Sequence, residues 1–295
     1  MGPMRRRFEF EEAFPFAMVY KDRKNPQTEL PDHLHEWYEL VYVHSGKGVF
    51  FIDQTFHDMR EGDLFAIPGN VIHQAFPDQE EPVTSTAVFF SPVLVSQASY
   101  GEAFTYMTPF EQGKLHKQFR CQLPEADRAY TARLLDEIHD ELTGGRPGAR
   151  HAIVLNVQLL LIQLHRNSFT EHTPQTANTV NAPAWMKQIL LHIDQQLHTP
   201  LSLSLLAQRA CVTGAHFSRV FKELTGMTVT DYIAAKRIIK AKELLFESDG
   251  KLSTIAEQCG FESMTHFHRT FKKIAGCAPA AYKKQKLAEM AKRQS

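Results

Sequence analysis

Long apolar runs are missing from this sequence. The longest, "AIVLNVQLLLIQL" from Ala152, falls short of the roughly 20 residues a membrane span needs. A secretory leader is missing too: "MGPMRRRFEFEEAF" has three arginines and then turns acidic where an apolar core would stand, so a cytoplasmic protein with no membrane partner is expected. Cysteine is scarce. Cys121, Cys211, Cys259 and Cys277 lack metal-type spacing and read as free thiols in a reducing compartment. Net charge is absent as well, with 33 basic and 33 acidic residues. That balance hides an asymmetry. From Ala184 onward 17 Lys and Arg face 9 Asp and Glu, leaving 16 against 24 before it. A basic C-terminal third beside an acidic remainder suits one part facing a polyanion, although small helical domains are also often basic.

What is present is enough for two domains: 295 residues, 43% of them apolar. From Phe14 to Phe90 short apolar and aromatic runs ("ELVYVHSGKGVFFID", "GDLFAIP", "TSTAVFF") are punctuated by Gly, Pro, Asp and Asn. They predict β-strands in a barrel or sandwich, with "SGKG" as a hairpin connection. From Glu125 the period becomes helical: "ADRAYTARLLDEIHDEL" puts Leu134, Leu135, Ile138 and Leu142 on one stripe that ends at Gly144-Gly145. "HAIVLNVQLLLIQLHRN" has an apolar surface too wide for a solitary helix, so it is expected to pack on the β-domain or on a partner chain. "TEHTPQTANTVNAP" has no period and reads as a linker. Everything after Pro183 is helical in pattern.

Two segments in that last part match. "HFSRVFKELTG" from His216 and "HFHRTFKKIAG" from His266 share six of eleven positions. Phe217, Val220, Phe221 and Leu224 form a core stripe, and Phe267, Thr270, Phe271 and Ile274 repeat it. Thr213 and Ser263 are placed as N-caps, Gly226 and Gly276 as left-handed C-terminal residues. The opposite faces carry short, polar and cationic side chains. Each segment follows a shorter helix with a small residue at the crossing (Ala207, Ala256) and a turn at Cys211 or Gly260. That is the helix-turn-helix layout, whose second helix enters the major groove. One longer helix, "VTDYIAAKRIIKAKELLFES", joins the copies, and two heads on one side of a duplex must sit about one helical turn, roughly 34 Å, apart.

The stretch from Trp185 to Lys284 resembles the DNA-binding domain of the AraC/XylS family of bacterial transcription regulators. Cys211 departs from that pattern, which has glycine in the first turn, and a less strained turn is expected there. The resemblance puts base-reading positions at Ala215, Ser218 and Arg219, and at Met264, Thr265, His266 and Arg269. The face analysis adds His268. Arginine suits guanine O6 and N7, while Lys222 and Lys272 are placed to hold phosphate.

In "HLHEWYELVYVHSG" the residues His33, His35 and Glu39 share one parity, so a strand would point all three to one face. With Gly46, Gly62, Pro68 and His73, the spacing resembles the cupin barrel. Pro77 stands where that pattern has Asn, and Gly69 is shifted by one place. In metal-binding cupins the three histidines and the glutamate converge on a divalent ion. The blander reading is a pocket for a small effector, or inherited scaffolding, and no metal or other cofactor is expected. Aromatic side chains nearby can stack on a sugar ring or fill a core. The effector-pocket candidates are His33, His35, Glu39, His73, Trp37 and Tyr42.

The expected architecture is α+β and multidomain: a cupin-like effector-sensing β-barrel over residues 1–100, a helical support and dimerisation segment over 101–170, a linker over 171–183, and an all-α double helix-turn-helix over 184–286. The expected function is a non-enzymatic transcription regulator, an activator by resemblance. Its partners would be promoter DNA, RNA polymerase, a second copy of the chain and a small molecule, with a carbohydrate as the resemblance suggests. The rival is a cupin metalloenzyme, an oxygenase or isomerase, with an appended DNA-binding domain.

Overall fold

The computed structural model describes residues 13–24, 35–95, 104–168, 182–247 and 250–294. His33 and most of the expected linker lie outside the described residues. The chain divides into two compact units, whose described parts run over 13–168 and over 182–294. Among the described residues no helix is long and apolar enough to cross a membrane.

The first unit holds two antiparallel sheets. One has five strands in the order β1 (Phe16–Arg23), β7 (Thr84–Phe90), β2 (Tyr38–Ser45), β5 (Asp63–Ile67) and β8 (Arg120–Gln122). The other has three: β4 (Thr55–Met59), β3 (Gly48–Ile52) and β6 (His73–Pro77). Strand alternation sorts the side chains. Val41, Val43, Phe65, Ile67, Ala87 and Phe89 meet Phe50, Ile52 and Ala75 in a core shared by the two sheets. Leu40, Tyr42, Leu64, Ala66, Val88 and Phe90 face the other way. They pack under α1 (Thr108–His116), α2 (Glu125–Gly144) and α3 (Ala149–Ser168). Because the five-stranded sheet is covered on both faces, β5 is buried throughout.

Two expectations need correction here. "SGKG" is not a hairpin: β2 pairs with β5 and β7, β3 with β4 and β6, so the segment carries the chain from one sheet to the other. Gly46 is needed there because its φ is 82° and a Cβ would lie 2.3 Å from Pro82 O. The two-residue hairpin joins β3 to β4 instead, with Asp53 and Gln54 both at positive φ. On α2 the stripe of Leu134, Leu135 and Ile138 is buried, but Leu142, in the last turn of the helix, is 41% exposed.

The second unit runs α4 (Ala184–Gln195), α5 (Leu203–Arg209), α6 (Gly214–Thr225), α7 (Val229–Glu247), α8 (Leu252–Gln258), α9 (Met264–Ala275) and α10 (Pro279–Gln294). Thr213 and Ser263 cap α6 and α9 by accepting from the backbone N–H of His216 and His266. Such caps contribute about 1 kcal/mol each. Gly226 and Gly276 end both helices in left-handed backbone. Ala207 and Ala256 are buried at the crossings of α5 with α6 and α8 with α9. Phe217 stacks between Trp185 and Phe221, at 5.3 and 5.6 Å, and Phe221 meets Tyr232 of α7 at 5.5 Å. At the matching place Phe267 and Phe271 meet edge-to-face at 5.7 Å, and Phe271 meets Tyr282 of α10 in the same way at 5.6 Å.

Candidate nucleic-acid interface and buried histidine–carboxylate cluster

One-sided burial of α6 and α9 leaves two outward faces built alike. On α6, Ala215, Ser218, Arg219 and Lys222 are exposed, and on α9 so are Thr265, His266, His268, Arg269 and Lys272. Met264 is half-buried at the start of α9. The rings of His266 and His268 rest beside Phe261 and Phe267 at 5.5 and 5.7 Å. Both faces therefore offer a cation fork and short polar groups over a rigid aromatic base, a surface suited to a groove edge and its phosphates.

The two faces differ in charge. Arg219 donates from Nη1 to both carboxylate oxygens of Glu223, at 2.9 and 3.1 Å. The residue four places beyond Arg269 is Lys273, which lies 3.8 Å from Asp231 of α7. Sequence reasoning passed over Glu223, although an acidic residue one turn after an arginine is a visible signal of an i,i+4 pair. It also passed over Arg237, a half-buried cation in α7 that donates to Leu197 O and Thr199 O. The expectation of a relaxed first turn is overturned. Cys211 has φ 55°, still left-handed, so the cysteine occupies a backbone conformation that glycine adopts without strain.

In the first unit the structure gathers His35, Glu39 and His73, all buried. The strand-parity reason does not hold, because β2 begins at Tyr38 and His35 precedes it. The cluster forms through turns. Gly69 lets the chain before β6 come so close to Glu36 O that a Cβ would lie 2.4 Å from it, and Asn70 N–H donates to His35 O at 2.7 Å. Glu39 Oε2 then lies 3.1 Å from His35 Nε2 and 3.0 Å from His73 Nε2.

The tautomers follow from the far ring atoms. His35 Nδ1 faces Trp37 O at 2.8 Å and His73 Nδ1 faces Val71 O at 2.9 Å. A carbonyl only accepts, so each Nδ1 carries the proton. Each Nε2 therefore meets the carboxylate either as part of an imidazolium or as a bare lone pair. Two lone pairs against one buried carboxylate would repel, so positive charge belongs between the three groups, as a proton or as a cation. Burial alone would raise the Glu39 pKa, but hydrogen bonds from His35 and His73, with their charge, hold it well below the ordinary carboxylate range. The three ligand atoms lie within 4.8 Å of one another, a set that could hold a divalent ion as well as a hydroxylated ligand. Trp37 packs against the same inter-sheet core. Tyr42 does not: it lies on the opposite face of β2 from Glu39, in the core under the helices, with its hydroxyl 3.4 Å from Arg128 O.

Comparison with known proteins places both units. Residues 15–161 match the profile of the AraC-like ligand binding domain, and residues 206–285 match a helix-turn-helix domain. The chain is 26% identical over 267 residues to the HTH-type transcriptional activator RhaS of Pectobacterium carotovorum, covering 90% of this chain and 92% of that protein. It is 24% identical over 269 residues to the HTH-type transcriptional activator RhaR of Salmonella typhimurium, covering 90% and 91%. Among solved structures, the DNA-binding domain of AdpA in complex with a target DNA is 29% identical, with TM-score 0.34, over 35% of this chain and 92% of that one.

Proposed function

Because the chain belongs to the AraC family of DNA-binding transcriptional regulators, with an AraC-like ligand-binding domain, we propose that it activates transcription in response to a small hydroxylated effector. Membership in a family of transcriptional activators sets the metalloenzyme reading aside. The effector domain spans residues 1–100 with its helical support to 170, the linker 171–183, and the DNA-binding domain 184–286. Arg219 and Arg269 read guanine. Ala215, Ser218, Met264, Thr265, His266 and His268 lie along base edges, and Lys222 and Lys272 hold phosphates.

The observation that carries this reading is the pair of identically capped helices, α6 and α9, each presenting an exposed arginine and lysine on the face opposite its aromatic core. His35, Glu39, His73 and Trp37 support the effector half, since buried imidazoles and a carboxylate can exchange hydrogen bonds with the hydroxyls of a sugar. No metal or other cofactor is part of this reading. The chain acts in the cytoplasm as a homodimer and contacts RNA polymerase. An effector works by favouring one of two arrangements in which α6 and α9 engage DNA differently.

The test is a panel of monosaccharides and sugar acids, with melting temperature and retention of promoter DNA read together. A true effector at a hundred times its Kd adds about 2.7 kcal/mol of stability, and a His73→Ala variant loses that gain. A panel that moves neither readout would remove the effector half of the reading. Failure to retain any duplex would remove the DNA half.

A further inference from the structure

The two helix-turn-helix turns are alike in backbone and unlike in surroundings. Cys211 and Gly260 both sit at positive φ, 55° and 81°. Cys211 is exposed. At Gly260 an added Cβ would lie 2.2 Å from Leu197 O and 2.9 and 3.0 Å from Nη2 and Cζ of Arg237. Leu197 belongs to the connection between α4 and α5, in the first half of the unit. The main chains of the two halves therefore meet here, and only glycine leaves room for the approach. The departure at Cys211 is explained in the same way, because the first turn has no such neighbour to exclude its side chain.

Arg237 fills the rest of the junction. Its Nε donates to Leu197 O at 3.0 Å and its Nη2 to Thr199 O at 2.8 Å. Its guanidinium lies 5.8 Å from the centre of the Phe261 ring. Phe261 is buried and packs on Phe267 at 5.2 Å and on His266 at 5.5 Å, in the first turns of α9. One planar fork thus ties the α4–α5 connection and the connector helix to the seat of the second recognition helix. Two charge-assisted bonds from a rigid fork fix direction as well as distance, which a lysine ammonium does not.

We propose that Arg237, seated against Gly260, is the positioning residue that sets the separation between the half-sites read by α6 and α9. It acts through the seat of α9 and touches no base. The proposal rests on the reading of both helices as DNA-reading elements. A loose junction would accept half-sites at several separations, whereas a bracketed one accepts a single separation. Each added base pair shifts one half-site by about 3.4 Å and turns it by about 35°, which the bracket cannot follow.

The experiment selects duplexes from a pool with a randomised core, using the full chain as wild type, Arg237→Met and Arg237→Lys. Wild type is expected to enrich two sequence blocks at one spacing. Inserting one or two base pairs between them should then cost about a hundredfold, down toward the affinity for one block alone. Both variants should enrich the same blocks at mixed spacings, with the insertion penalty reduced to about threefold and single-block affinity kept. A residue that only stabilised the fold would weaken single-block and two-block duplexes alike and leave the spacing fixed, and that result overturns the proposal. So does a wild type that tolerates the insertions, an outcome that does not depend on how the variants fold. A wild type that enriches no duplex would take down the DNA reading itself, whereas fixed spacing in both variants would take down the bracket alone.

Discussion

Arg219 is held by Glu223 in α6, while Arg269 at the same place in α9 has Lys273 four residues on. To reach a base, Arg219 must leave its carboxylate. The pair is exposed, so the release costs little, about 0.3–0.5 kcal/mol, but the carboxylate stays beside the phosphates. Arg269→Ala should lose about 1–3 kcal/mol and relax preference at one base position. Arg219→Ala should lose less, and Glu223→Gln should tighten binding. Anisotropy titrations on a selected duplex would check all three. Equal losses for both arginines, with weaker binding by Glu223→Gln, would show that the heads contribute alike.

Lys222 and Lys272 are exposed at the ends of the same two faces. Replacing either with alanine should reduce the slope of log affinity against log salt by about 1 while leaving the preferred sequence unchanged. A changed base preference with an unchanged slope would move these lysines from phosphate to base.

The left-handed cysteine makes a stability prediction. An L-residue in this region costs roughly 1–2 kcal/mol, partly offset by the greater freedom of glycine in the unfolded chain. Cys211→Gly should therefore stabilise the second unit by up to about 1 kcal/mol. Gly260→Ala should destabilise it by more, since strain at φ 81° is joined by the clash with Leu197 O. Urea melts followed by circular dichroism give both values. Destabilisation by Cys211→Gly would mean that the thiol makes contacts worth more than the backbone strain.

These residues also show what was legible in the sequence. The caps, the aromatic stripes and the outward faces of α6 and α9 could be read because a short helix buried on one side writes its period plainly. The glycine-rich "SGKG" was ambiguous in kind: a hairpin and a passage between sheets both demand positive φ, and only long-range pairing separates them. The true hairpin at Asp53-Gln54 carries no glycine and gave a weak signal. Tyr42 was readable but misplaced, since it stands three residues from Glu39 and an odd separation on a strand puts the two on opposite faces. Arg237 was out of reach, because periodicity tells which side chains face inward and not which carbonyls a half-buried cation will find.

His57 predicts a pH dependence. Burial, with the nearby Arg120 charge, lowers its pKa from 6.5 to about 4. Thr55 donates its hydroxyl proton to Ile52 O at 2.7 Å, so at 2.8 Å it accepts from a neutral His57 Nε2–H. The unfolded chain takes up this proton first, so stability is complete above about pH 6.5 and falls toward pH 4, by about 3 kcal/mol in all. Glu39, whose pKa is depressed, loses its contribution only as pH drops below the ordinary carboxylate value of 4.5. Between these limits His57→Leu should flatten the profile of the first unit, followed through Trp37 fluorescence in a Trp185→Phe background. Parallel wild-type and variant profiles would assign the slope to other groups.

On α3, Leu155 is 60% exposed and Leu159 40%, and the half-buried Ile162 continues their line. The spacing of four and then three residues is the seam of a helix that packs on another helix. The opposite stripe, Ile153, Val157, Leu160 and Leu164, is already spent on the core. Two apolar faces on one helix account for the width of the pattern in the sequence, and the outer face is where a second copy of the chain should dock. Leu155→Glu with Leu159→Glu would put two carboxylates into that seam while touching nothing in the core. The wild-type chain should sediment as a dimer and the double variant as a monomer with an unchanged melting temperature for the second unit. A wild type that stays monomeric at tens of micromolar, where weak dimers of this kind assemble, would leave the outer face of α3 without this role.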